Sequence, residues 1–397
     1  MKTKLVLSVF LLVAFLVSCR LTMQSTQVQE VPLDSPTVSQ QPIVTKTFIP
    51  TITPSPLPLE LSDGIIIIRD YEGIYRYDIF FGKYEVIDSV DSYLYEEAKV
   101  AGEEVYFVRA SPAPRGYAGW NAGNVFRITI DGKNLAQITY TDVAEYNLSV
   151  SADGSHYAFC RDNIVFDDPA RYQLFLVDSI SGRQQVINQS ANSCAGFLAW
   201  SPDSQKLAYI DGNTDETDHN LLVYDVNNQK VTQILPEETT TTSQFAWSPD
   251  GNSIILAFEN EGKNGIGLFN FATNEVQMIA NISKLPANFV WSPTGKNVLF
   301  EISAWSKQGA THFNTLHLLD IDSGKITKLY SYYLNNGYHS FNAQWSLDGK
   351  LIEYAYTDTN DVWKIIVYDT QTKEVSEIVI PEHANCSADY WKIIEQD

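Results

Sequence analysis

The residues whose types and spacing come nearest to chemistry are acidic. Asp211, Asn213 and Asp215 set three oxygen donors at alternate positions, which is how a loop that wraps a calcium ion begins. The stretch has neither the later glycine nor the bidentate glutamate that completes an EF-hand loop, so it reads as a solvated acidic loop. Ca2+ through these three residues is the one weak cofactor candidate, and otherwise no metal or cofactor is expected. Asp358 and Asp361 read the same way. His-Glu-x-x-His, Cys-x-x-Cys and the phosphate-cradling Gly-rich Lys-Ser/Thr loop are all absent. The six histidines show no ligand-like spacing, and His317, between Leu316 and Leu318, reads as a strand residue. No catalytic residue is assigned. Loop carboxylates could still be paired in space for glycan cleavage, which sequence cannot show.

Aromatic residues are the stronger candidates for binding. Tyr117 and Trp120 fall in the stretch 110–124, Trp305 and His312 in 302–314, Tyr332, Tyr333 and Tyr338 in 330–341, and Trp363 stands nearby in sequence. Flat apolar planes beside amides and carboxylates suit sugar rings or extended peptides. The competing structural reading is that these rings pack the loops against one another.

The elements that must hold these loops are announced by a repeat. Trp200-Ser201-Pro202-Asp203 returns at Trp247, Trp291 and Trp345, with a degenerate copy at Val150-Ser151-Ala152-Asp153-Gly154, giving spacings of 50, 47, 44 and 54 residues. That period marks a propeller of four-stranded blades. In the full form of the phrase, at Trp247-Ser248-Pro249-Asp250-Gly251, an apolar strand ends at the Trp, Pro presets φ, Asp can bond the turn backbone and Gly takes the left-handed position. The Trp and Asp residues therefore read as architectural, with the indole filling the gap between blades. A second series pairs Asp or Asn with a charged residue five positions on: Asp78/Lys83, Asp178/Arg183, Asp225/Lys230, Asn270/Glu275, Asp320/Lys325 and Asp369/Glu374. A shifted seventh hairpin surrounds Asp131-Gly132-Lys133, so the chain is read as an all-β, seven-bladed propeller rather than one of six or eight.

The ends explain closure. Ser62-Asp63-Gly64 before Ile65–Ile68 looks like a repeat that has lost its first strand, and Tyr390-Trp391-Lys392-Ile393 like a first strand without a repeat. The last strand is expected to complete the first blade and remove the open edge. In such a ring the turns joining first to second and third to fourth strands share one face, here short and uniform. The other connections are long and irregular, and that face is the candidate for binding.

Residues 1–18 read as a secretory signal, 19–60 as a tether rich in Ser, Thr, Pro and Gln, and 61–397 as the propeller. A flexible segment of that length spans roughly 35 Å. The net charge of −21 argues against nucleic acid, and direct contact of the propeller with a membrane is not expected. Cys160 and Cys194 could pair in an oxidising compartment.

Two resemblances add to this reading. Leu16-Val17-Ser18-Cys19 resembles the bacterial lipobox, which implies a lipid on Cys19 as the membrane anchor. The Trp-Ser-Pro-Asp-Gly phrases and hairpins such as Val223-Tyr224-Asp225 resemble the TolB-type propeller repeat, related in appearance to the WD-repeat blade, over residues 62–397. That family includes periplasmic proteins that bind envelope proteins and propellers that gate prolyl-oligopeptidase-type peptidases. The Gly-x-Ser-x-Gly elbow of the peptidases is absent, and the tether stands where TolB proteins carry an α/β domain. The TolB-type resemblance is specific for fold and not for function; the lipobox, the tether and the absence of catalytic motifs together point to a monomeric, non-catalytic, extracytoplasmic lipoprotein that binds an envelope protein or polysaccharide through its loop-rich face. A glycan-active enzyme using loop carboxylates is the alternative.

Overall fold

The structure is a computed structural model. It describes residues 65–394 apart from 70–72, 79–80, 82, 90–94, 112–121, 142, 144, 163–171, 189–197, 212–219, 236–239, 261–262, 306–311, 335–342, 358–362 and 380–389. Seven four-stranded antiparallel sheets follow one another along the chain. Blade 2 spans 95–137, blade 3 145–188, blade 4 198–233, blade 5 240–282, blade 6 287–334 and blade 7 344–379. Blade 1 is built from both ends, with Tyr390–Ile394 as its first strand beside Ile65–Arg69, Gly73–Asp78 and Lys83–Ser89. Ile65 pairs with Ile394 and Ile68 with Trp391, so the last strand closes the ring as expected. First strands of successive blades are neighbours, which makes them the inner ring.

The second strands show why the sequence folds this way. Leu207-Ala208-Tyr209-Ile210 are all buried. Side chains alternate across a strand, so Leu207 and Tyr209 enter the apolar cluster shared with blade 3, while Ala208 and Ile210 enter the one shared with blade 5. Comparable clusters fill the junctions of blades 1 and 2, 2 and 3, 5 and 6, and 6 and 7. The core thus lies between blades, and a strand with two buried faces needs a continuous apolar run. The outer strand Lys230–Gln233, exposed throughout, is correspondingly polar.

Candidate functional site

The short turns form a uniform scaffold. In blade 4 the Ser201 hydroxyl donates to Asp203 Oδ1 at 2.5 Å and accepts from the Lys206 amide at 2.9 Å, while Asp203 Oδ1 also accepts from the Gln205 amide at 3.1 Å. Ser151/Asp153, Ser248/Asp250 and Ser346/Asp348 repeat the arrangement. The position after the Asp is left-handed each time, with φ of 67° at Gly154, 69° at Gly251 and 72° at Gly349, and 59° where blade 4 has Ser204 instead. Burial pushes the Asp153 carboxyl up, but the Ser155 amide and the hydroxyls of Ser151, Ser155 and Ser204 outweigh it and hold it at about 2. In Asp250 the Ser248 hydroxyl and the Asn252 amide lower the pKa in the same way.

The Trp at the head of each turn also staples neighbouring blades. Its indole N–H donates to a first-strand carbonyl of the preceding blade: Trp200 to Ser149 at 3.3 Å, Trp247 to Ala199 at 3.0 Å, Trp291 to Ala246 at 3.3 Å and Trp345 to Val290 at 3.2 Å. The expected architectural role holds, with a hydrogen bond added to the packing.

At the opposite strand ends the blades differ. Among the described residues blade 6 has the longest strands, and its second strand Asn297–Trp305 is described three residues further toward the loop-rich face than Lys206–Asp211 of blade 4. Trp305 is the cross-strand partner of His312, Tyr333 of Phe313 and Tyr332 of Asn314. Four of the aromatic candidates therefore share one end of one sheet, and Trp363, opposite Thr357, stands at the same end of blade 7. Tyr117, Trp120 and Tyr338 lie outside the described residues, as do Cys19, Cys194, Asn213, Asp215, Asp358 and Asp361. Asp211 ends its strand at this face. Among the described residues, no group of three His, Cys, Asp or Glu could hold a metal ion.

Beneath the same face, between blades 2 and 3, lies a buried polar network with no motif to announce it. Glu145 on the inner strand of blade 3 is fully buried. Its Oε1 accepts from Arg161 Nη2 at 2.6 Å and Nε at 3.1 Å, and its Oε2 accepts from the Thr139 hydroxyl. Thr139 Oγ1 takes the Val125 amide at 2.8 Å, and Asn124 Oδ1 takes the Thr141 amide at 2.8 Å. The Arg161 guanidinium lies 4.1 Å from the Phe175 ring centre. Burial raises the Glu145 pKa against the opposing pull of Thr139 and Arg161. Gly123 lets the strands close up here, since a Cβ would meet Val108 Cγ1 at 2.7 Å and the Glu145 carbonyl at 3.1 Å. Both carboxylate oxygens accept from protein donors, so this glutamate ties the connection after blade 2 to blade 3.

A second buried carboxylate, Glu301 of blade 6, accepts from the side-chain amides of Asn288 and Asn314, each at 3.4 Å. Asn288 sits in an inner-strand bulge at φ 56°, and Asn147 of blade 3 occupies the corresponding place at φ 54°. His317 stacks on Phe300 at 5.2 Å and its Nδ1 is 3.0 Å from the Thr315 carbonyl. Burial lowers its pKa despite that bond, which fits a neutral structural histidine. Cys160 is fully buried and disulfide-bonded.

Comparison with known proteins follows the fold. The TolB β-propeller domain matches residues 158–385, more than half of the chain. An oligogalacturonate lyase from Vibrio parahaemolyticus is 12% identical with a TM-score of 0.59, over 79% of this chain and 93% of that one. A dipeptidyl peptidase 4 from Porphyromonas gingivalis is 11% identical with a TM-score of 0.50, over 81% and 59%. TolB from Acinetobacter baumannii is 14% identical with a TM-score of 0.46, over 84% and 82%. No curated protein matches the sequence. At these identities the lyase and the peptidase show a shared fold and no more.

Proposed function

From the premise that this chain belongs to the TolB β-propeller domain family, we propose that it is a non-catalytic, extracytoplasmic propeller. It is anchored by a lipid on Cys19 and binds an envelope protein or glycan through its loop-rich face. The observation that carries the reading is the gathering of Trp305, His312, Tyr332 and Tyr333 at the loop end of blade 6, with Trp363 at the same end of blade 7. The buried Glu145 below that face is spent on Arg161 and Thr139, which supports binding over catalysis.

The disulfide at Cys160 supports an oxidising compartment. Cys194 is the proposed partner: Leu198, four residues on, packs against the same cluster as Cys160 at the junction of blades 3 and 4. Cys386 instead stands in sequence just before Tyr390–Ile394, the first strand of blade 1. The alternative is a glycan-active enzyme. It draws on the lyase named above, which is nearly all propeller by the coverage of the match.

The test compares photo-crosslinked adducts of the full chain with those of a Trp120→Ala/Tyr333→Ala variant in the native envelope, alongside an oligosaccharide turnover assay. Loss of a specific adduct with no turnover is expected. An unchanged adduct set overturns the binding face, and turnover abolished by one loop Asp or Glu substitution establishes the enzyme instead.

A further inference from the structure

Among the described residues eight large apolar side chains are exposed, and they are not scattered evenly. Val86, Val231 and Met278 lie on outer strands, and Tyr140 lies between blades 2 and 3. The other four all occupy short turns. Phe81 (74% exposed) and Ile180 (92%) sit in the third-to-fourth turns of blades 1 and 3. Leu135 (46%) ends the corresponding turn of blade 2, and Leu347 (75%) is in the first-to-second turn of blade 7. Blades 7, 1, 2 and 3 are consecutive around the ring. Their turns share one face by topology, so these four tips stand on one side of one half of the molecule.

The other half shows what such turns look like without this feature. The tips of blades 4, 5 and 6 carry Asn227 and Asn228, Ala272 and Thr273, and Asp322 and Ser323. Leu347 stands where blades 4, 5 and 6 have Pro202, Pro249 and Pro293. Turn geometry does not require the apolar residues: at Phe81 and Ile180 it is the backbone amides that bond Asp78 and Asp178.

Each tip also has an exposed cation two or three residues on or back: Lys83 after Phe81, Lys133 before Leu135, Arg183 after Ile180 and Lys350 after Leu347. Lys83, Lys133 and Lys350 are paired with Glu85, Asp131 and Asp348. An apolar tip with a basic residue at its base is the arrangement that seats a side chain at the boundary of headgroups and acyl chains.

The covalent path of the chain points the same way. Ile65, where the propeller begins, pairs with Asp78 at the turn end of blade 1, and Phe81 donates its amide to Asp78 at 2.9 Å. The 64 residues before Ile65, with Cys19 among them, therefore join the propeller on the face that bears the four tips.

We propose that this turn face lies on the bilayer that holds the lipid anchor, with Phe81, Leu135, Ile180 and Leu347 entering its interfacial layer. Rocking the ring onto blades 7, 1, 2 and 3 leaves the loop-rich face directed away from the membrane. Four apolar tips would orient a tethered domain without anchoring it alone. The proposal rests on the lipid on Cys19 and revises the expectation that the propeller keeps clear of the membrane.

The experiment uses the full chain purified from membranes and reconstituted in phosphatidylcholine vesicles. Benzoylphenylalanine is placed at 81, 180 or 347, and at 227, 273 or 322 as controls, and phospholipid adducts are counted by mass spectrometry after illumination. The mass of the N-terminal peptide reports acylation in the same samples. Adducts at the three apolar tips at least fivefold above the controls are expected. An acylated chain with equal or no lipid adducts overturns the surface and leaves the anchor standing. An unacylated chain with tip adducts removes the anchor but keeps the surface. Cross-links from the tips to protein alone overturn the proposal in favour of protein docking.

Discussion

The two faces of the ring are built in opposite ways. On the turn face, Ser151, Ser201, Ser248 and Ser346 make the same pair of bonds to an aspartate and to the amide five residues on. At the loop-rich ends the polar groups differ from blade to blade: an arginine-clasped carboxylate between blades 2 and 3, and a carboxylate held by two amides in blade 6. Where backbone geometry alone must be satisfied, one solution recurs. Where no single backbone geometry has to be met, a rigid scaffold leaves each blade free to vary.

Breaking the singular network should cost most. Arg161→Ala leaves Glu145 buried without its cation and is expected to destabilise the propeller by about 3–5 kcal/mol in denaturant unfolding. A loss below about 1 kcal/mol would mean that Glu145 reaches water. Breaking one copy of the repeated turn should cost less. Ser248→Ala deprives the buried Ser253 amide of its acceptor and should lower stability by about 1–3 kcal/mol, and the equivalent Ser346→Ala should fall within the same range. A large disparity between the two would show that the copies are not equivalent. The smallest effect has the opposite sign: Gln229 holds φ at 58° in the exposed tip of blade 4, where blades 3 and 6 have Gly182 and Gly324. Gln229→Gly is expected to stabilise by up to about 1 kcal/mol, read as a raised unfolding midpoint.

The part of this comparison that could be read from sequence is the part that repeats. Asp178, Asp225 and Asp369 announce their turns because the same backbone amides must be bonded each time, and seven such hairpins count seven blades. The first turn of blade 2 escaped the pattern because it is a two-residue hairpin, Gly102-Glu103, with no Ser or Asp at its head. Glu145 and Arg161 escaped for another reason. They are 16 residues apart on two strands, joined to Thr139 and Asn124 of a neighbouring connection and blade, and nothing local marks them. The aromatic candidates of blade 6 were named from loops, yet Trp305, His312, Tyr332 and Tyr333 belong to lengthened strands, which register brings together at one end. The exposed tips on the turn face carry no sequence mark of their own, since only the folded turns show that Phe81 and Ile180 stand in solvent.

The division of labour between the faces is tested most directly in cells, with a photo-crosslinking residue at Tyr333 in one sample and at Asn227, on the opposite face, in another. The account predicts one dominant protein or glycan adduct from position 333 and none of it from position 227. The same adducts from both positions, or none from 333, would contradict it.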